Sequence, residues 1–148
     1  DLLVIAGLYL AMRYQQYFGS SWLYTDEVQV DARGFAINNL FKPTFSKQLL
    51  RSLMYINHLQ IFTRELFDRT GGYREGFEGS QDHDLALRMS ELVTPTHVPT
   101  IGYQWRIQPD TQSRQQFTVS DQSVENSQRA VMEHLQREGY VANVKIAK

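Results

Sequence analysis

Gly71-Gly72-Tyr73-Arg74-Glu75-Gly76-Phe77-Glu78-Gly79-Ser80-Gln81-Asp82-His83-Asp84-Leu85 is the stretch on which the reading of this chain turns. Its glycines can bring backbone close to a ligand, because they carry no side chain and tolerate positive φ. Ser80 stands at a helix start, and residues 81–92 carry helical periodicity after it. Two carboxylates, Asp82 and Asp84, therefore sit at the mouth of a helix where a ligand held by the loop would meet them. Acidic residues also suit a first helical turn for purely structural reasons, since they offset the unpaired N–H groups and the macrodipole.

Spacing separates the two. Asp82, Leu85, Met89 and Leu92 fall at i, i+3, i+7 and i+10, so Asp82 extends the apolar stripe and is the functional candidate. Asp84 stands four residues before Arg88, which predicts an ordinary solvent-side ion pair. Two residues along a helix turn the side chains about 200° apart. The pair is thus ill suited to flank one glycosidic bond, as a hydrolase would require.

Outward from this stretch the chain alternates strand and helix signals, which means an α/β domain. Residues 3–17 read as a helix with Leu3, Gly7, Leu10 and Tyr14 on one face, ended by Gly19. The apolar run in residues 2–12 is shorter than the roughly 20 residues needed to cross a bilayer, so a buried helix is expected. Trp22-Leu23-Tyr24 predicts a buried strand, continued by Asp26, Val28 and Val30 at period two up to a turn at 31–34. Ser46 and Thr63 are expected to cap short helices over 47–51 and 64–69, with a strand at 59–62 between them. Residues 100–106 predict the last strong strand, Ser120 a long C-terminal helix closed by Gly139, and Val144 with Ile146 a final short strand.

Composition narrows the function. The 148 residues suit one domain, and 42% apolar with 21% charged residues indicate a folded chain. A formal net charge of −1 without a basic run argues against a nucleic-acid partner. With no cysteine, disulfides and thiolate metal sites are excluded, which suits a reducing cytoplasm. No two histidines share a metal-ligand spacing, and no metal ligand is assigned within the chain. His97 and His134 read as structural or solvated, and Asp26-Glu27 as a loop or strand-end pair.

The glycine-rich loop with Gln81-Asp82, together with Tyr24-Thr25-Asp26-Glu27, Phe41-Lys42-Pro43 and Tyr103-Gln104-Trp105-Arg106, resembles the family 2 glycosyltransferases. The likeness is greatest to bacterial rhamnosyltransferase-like members that build cell-surface polysaccharide, and it covers the chain from its first residue to about 139. The resemblance implies the distal, acceptor-side half of a GT-A fold, with a mixed sheet and flanking helices. Residues 1–107 would be the C-terminal half of the transferase domain, 108–119 a linker-like loop, and 120–148 a helix and short strand packed on the same domain. Asp82 matches the family's general base for an inverting transfer, with Gln81 replacing a commoner Glu. Gly79, Ser80, Gln81, His58, Trp105 and Arg106 match substrate-binding positions.

The partners so implied are a nucleotide-sugar donor and a saccharide or lipid-linked acceptor. The divalent cation, Mn or Mg, would belong to the full-length enzyme, its ligand upstream of this chain, so the fragment by itself would be inactive. The location implied is cytoplasmic, or peripheral to the inner membrane. A chain cut from such a fold is expected to form a homodimer through the helix in 2–12 or the strand at 22–24. The alternative function is a non-catalytic sugar-binding or interaction module of a larger polysaccharide synthase.

Overall fold

The computed structural model describes residues 2–107 and 121–145. In chain order the elements are β1 (Leu2–Leu3), α1 (Ile5–Phe18), β2 (Trp22–Val30), β3 (Ala36–Leu40), α2 (Lys47–Ser52), β4 (Gln60–Phe62), α3 (Arg64–Arg69), α4 (Gln81–Ser90), β5 (Thr96–Arg106) and α5 (Asp121–Arg137). The expected linker at 108–119, Ser120 and Ile146 lie outside the described residues.

The five strands form one mixed sheet with β2 at its centre. β5 runs parallel along one edge of β2 and antiparallel to β1 on its other side. β3 and β4 both pair antiparallel with β2, β3 with its C-terminal half and β4 with Trp22 to Tyr24. Because Trp22, Leu23 and Tyr24 are central and buried, this strand cannot be the edge through which a dimer forms.

Local chemistry explains the helix starts and the hairpin. Ser46 and Thr63 each accept, through the side chain, an N–H from three residues further on, Leu49 and Leu66 respectively. At the β2–β3 turn, Asp31 Oδ1 accepts the N–H groups of Arg33 and Phe35, both at 2.9 Å. Ser80 departs from expectation. It occupies the N-cap of α4, but its hydroxyl donates instead to Ser123 O on α5 at 2.7 Å. Residues 141–145 form no strand, so the alternation at Val144 reflects only a tail running past α5.

The main core joins Trp22 and Tyr24 of β2 to Leu50, Ile56, Leu66, Phe77, the buried residues of α4, and Ala130 and Val131 of α5. A smaller cluster of Ala11, Leu23 and Val98 seats α1 on the sheet. The expected buried helix is corrected here: α1 buries only Gly7 and Ala11, while Ile5, Tyr9, Leu10 and Met12 are exposed. An apolar run need not be a buried one. Gly7 allows the approach, since a Cβ there would lie 2.3 Å from Ile101 O and 2.7 Å from Gly102 Cα.

Candidate active site

α4 is buried from His83 to Ser90, which corrects the reading of Asp84 as a solvent-side residue. Asp84 is 1% exposed and accepts from Arg88 at 2.7 and 3.0 Å and from Arg74 at 3.1 Å. Burial would raise its pKa, but the hydrogen bonds from Arg74 and Arg88 outweigh this and hold the carboxyl below its usual range. Arg88 also donates to the carbonyls of Thr70 and Gly72, and Arg74 pairs with Glu133 of α5 at 2.8 Å. Asp84 is therefore the anchor of the glycine-rich loop. A signal for this existed in the neighbouring Arg74, but helical spacing considered alone could not reveal it.

Asp82 is placed differently. It is half-buried and lines a cavity of about 710 Å³ between α4, the segment joining α2 to β4, and α5. That volume lies in the usual range of ligand clefts, about 300–1,000 Å³. Gly79, Ser80, Asn57, Ser127 and Gln128 share the lining. Among the described residues Asp82 is the one carboxylate on the cavity wall, and no cation pairs with it. Its oxygens take neutral donors instead: Asn57 Nδ2 donates to Oδ2 at 3.0 Å and the Tyr73 hydroxyl to Oδ1 at 3.3 Å.

A relay fixes Asn57. Trp22 Nε1 donates to Gln60 Oε1 at 2.9 Å, and Gln60 Nε2 donates to Asn57 Oδ1 at 2.5 Å. The far wall comes from α5, and Gly79 makes room for it. A Cβ on Gly79 would fall 2.8 Å from Ser123 Oγ, and its φ of +79° already disfavours a side chain. His83 donates from Nε2 to Leu50 O at 2.6 Å and accepts at Nδ1 from the Ser127 hydroxyl at 2.8 Å. Burial lowers its pKa, so the ring is neutral in this role.

Next to Asn57, His58 begins a second cluster. Glu27 Oε2 accepts the His58 N–H at 2.8 Å and lies 3.3 Å from Nδ1. The imidazole stacks on Tyr103 at 4.9 Å and meets Trp105 edge-on at 6.0 Å. Lys42 Nζ donates to His58 O at 2.6 Å. Asp26 Oδ1 accepts the Lys42 N–H at 2.9 Å and bonds His97 Nε2 at 2.8 Å. Asp26 and Glu27 thus lie within β2, both 4% exposed, rather than in a loop or at a strand end. Burial would raise Glu27, yet the bonds from His58 and the charge of Lys42 hold it below its usual range. His97 and His134 are structural, His134 being fully buried between Glu91 and Arg51.

Of the expected site residues, Gly79, Ser80 and the candidate base Asp82 come together on the cavity wall. Gln81 is exposed and faces a shallow depression beside Tyr73 and Arg74. His58 and Trp105 form the aromatic cluster beyond Asn57, and Arg106 is exposed at the end of β5. Asn57, Gln60, Trp22 and the α5 serines had no local sequence signal, because their role depends on long-range contacts, whereas Tyr73 stands within the glycine-rich stretch, nine residues before Asp82. Among the described residues no group of three or more His, Asp or Glu could hold a metal ion, and the carboxylates of Asp26 and Glu27 are already engaged. The described part of this chain does not fit the divalent cation implied by the resemblance.

No family model matches the chain. Over 82% of its length it is 40% identical to the O-antigen biosynthesis protein RfbC of Myxococcus xanthus, of which it covers 10%. It is 36% identical, over 78% of its length, to the uncharacterized protein y4gI of Sinorhizobium fredii, covering 13% of that protein. Against the chondroitin synthase of Escherichia coli the identity is 28% over 79% of the chain and 17% of the relative. The chain thus spans less than a fifth of each of these proteins. The named functions point to a glycosyltransferase family, at moderate identity over most of the chain. The mixed α/β fold with flanking helices is consistent with a domain of that kind. Among the described residues no helix is long and apolar enough to cross a membrane.

Proposed function

We propose that this chain is the acceptor-side part of a GT-A glycosyltransferase that extends a cell-surface polysaccharide by inverting transfer from a nucleotide sugar. The observation that carries the reading is Asp82, a cavity carboxylate held by two neutral donors and, among the described residues, in no ion pair. A sugar hydroxyl is a poor nucleophile until its proton leaves as it attacks. With the acceptor in the cavity, its oxygen forms a bond to the anomeric carbon. The proton passes to the Asp82 carboxylate, and the bond to the diphosphate breaks with its electron pair leaving on the nucleotide. His58 and Trp105 offer an aromatic face for the sugars, and Arg106 a guanidinium for the diphosphate.

The names of the relatives support polysaccharide synthesis as the setting. The nucleotide and the divalent cation would be held by residues outside this chain, and the 148 residues by themselves would transfer no sugar. A cytoplasmic place beside the inner membrane suits such a donor and a lipid-linked acceptor. Self-association, if it uses α1, would involve its exposed Ile5, Tyr9 and Met12.

Asp82→Asn in the full-length protein carrying this chain tests the reading. It keeps the shape and removes the base, so transfer should fall by about 10²- to 10⁴-fold. Donor binding should be unchanged. Near-normal transfer by the variant would overturn the role of Asp82.

A further inference from the structure

We propose that Glu27 and Lys42 clamp the backbone of His58 and so set Asn57 against Asp82, which makes both of them positioning residues for acceptor activation. The inference rests on the reading of Asp82 as the base. Among the described residues the donors to Asp82 are Asn57 and Tyr73, not Glu27 or Lys42.

Glu27 is 4% exposed and Lys42 9%. Taking a carboxylate and an ammonium out of water is costly, and apolar side chains would fill such sites more cheaply. Both charged groups are directed at one residue. Glu27 takes the N–H of His58 at 2.8 Å, and Lys42 gives a hydrogen bond to its carbonyl at 2.6 Å. The peptide groups on either side of the His58 Cα are therefore fixed together. The next residue is fastened to β2, with Thr25 N donating to Leu59 O at 3.0 Å and Leu59 N to Thr25 Oγ1 at 3.3 Å.

Asn57 immediately precedes this fastened pair, and its amide is held from the other flank by Gln60 at 2.5 Å. A carboxylate that must receive a proton from a substrate hydroxyl needs its free lone pairs aimed into the cavity. Asn57 sets that aim, and the clamp sets Asn57. The Lys42 backbone is tied separately, through its N–H to Asp26 Oδ1 at 2.9 Å, so removing its ammonium leaves the main chain anchored.

The test is a double-mutant cycle in the full-length protein, read as kcat and as KM for the nucleotide sugar. Asn57→Ala and Lys42→Met should each lower kcat, on the order of tenfold or more for a hydrogen bond to a charged group, with the donor KM unchanged. Combined, they should be no worse than the more damaging single change, because both act through one contact. Losses that multiply, or an unchanged kcat in Lys42→Met, would overturn the clamp. If Lys42→Met does not fold, Glu27→Gln keeps an acceptor oxygen and takes its place in the cycle. A kcat loss absorbed by Asn57→Ala then supports the clamp, and an unchanged or multiplying effect counts against it. Asp82→Asn separates the failures. Full activity there removes the base reading itself, whereas an inactive Asp82→Asn beside multiplying losses removes the clamp and leaves the base in place.

Discussion

Asn57 Nδ2 lies 3.0 Å from Asp82 Oδ2, and this bond joins the segment before β4 to the first turn of α4. Two residues further along the same helix, Asp84 is locked by two guanidinium groups. One carboxylate is held by neutral donors and faces a cavity, while its neighbour is neutralised and buried. Environment rather than residue type divides the roles between them.

Tyr73 is the weaker of the two donors to Asp82, half-exposed and at 3.3 Å, with its ring edge packed on Phe67. Tyr73→Phe should therefore lower transfer by less than Asn57→Ala, because it removes the longer and more exposed of the two bonds to the same carboxylate. Its thermal midpoint should match the parent's. A larger loss in steady-state rate would mean that the hydroxyl touches the substrate as well as Asp82.

Asp84→Asn should act on stability. It leaves Arg88, itself buried, facing a neutral amide, and breaking a buried pair typically costs about 3–5 kcal/mol. Urea denaturation should show a loss of that order, while Asp82→Asn unfolds close to the parent. Equal stability in Asp82→Asn and Asp84→Asn would contradict the division of roles.

Much of this arrangement was legible from local pattern. Ser46 and Thr63 cap their helices as spacing predicts, and the 31–34 turn joins a hairpin, because short-range hydrogen bonds decide those features. Asp82 stands on a cavity wall, a placement that its position on the stripe only partly explains. A single apolar stripe predicts one buried face on α4, whereas the helix is buried all the way from His83 to Ser90 with α5 packed against it. Asp84 was misread for the same cause, since its second partner, Arg74, lies ten residues back in the loop. Asn57, Gln60 and Trp22 form a relay across 38 positions of sequence that no periodicity encodes. The exposed side chains of α1 show that apolar composition reports an available surface without saying what covers it.

Lys42 gives a pH signature. Burial pushes its ammonium down from the usual 10.5 to about 8, with Glu27 and Asp26 pulling more weakly the other way. Below about 8 both folded and unfolded chains hold this proton, so it adds no pH dependence. Between about 8 and the unfolded value near 10.4, the unfolded chain holds more protons and stability rises with pH. Above about 10 the Tyr24 hydroxyl, raised chiefly by burial, acts in the opposite direction. Urea midpoints measured from about pH 7.5 to about 9.5 should therefore climb, and Lys42→Met should remove that climb. A flat profile in the parent chain would show that Lys42 keeps its ordinary proton affinity.

Gly7 sets how closely α1 can approach the sheet. Alanine would normally be favoured inside a helix by about 1 kcal/mol over glycine. Here the added Cβ would lie 2.3 Å from Ile101 O, 2.7 Å from Gly102 Cα and 2.9 Å from Ile101 C, all backbone atoms of β5. Backbone in a paired strand cannot turn aside as a side chain can, so α1 must lift and loosen Ala11 from Leu23 and Val98. Overpacking of this kind typically costs about 1–3 kcal/mol, and with only backbone to yield the upper part of that range should apply. The steric term then exceeds the propensity gain, and Gly7→Ala should lower the urea midpoint. Ala11→Gly should also destabilise, through lost packing and propensity, but without displacing the helix. Hydrogen exchange distinguishes the two: Gly7→Ala should expose the amides of β5 near Gly102, and Ala11→Gly should leave them protected. A Gly7→Ala chain as stable as its parent would mean that α1 does not sit on β5 at this distance.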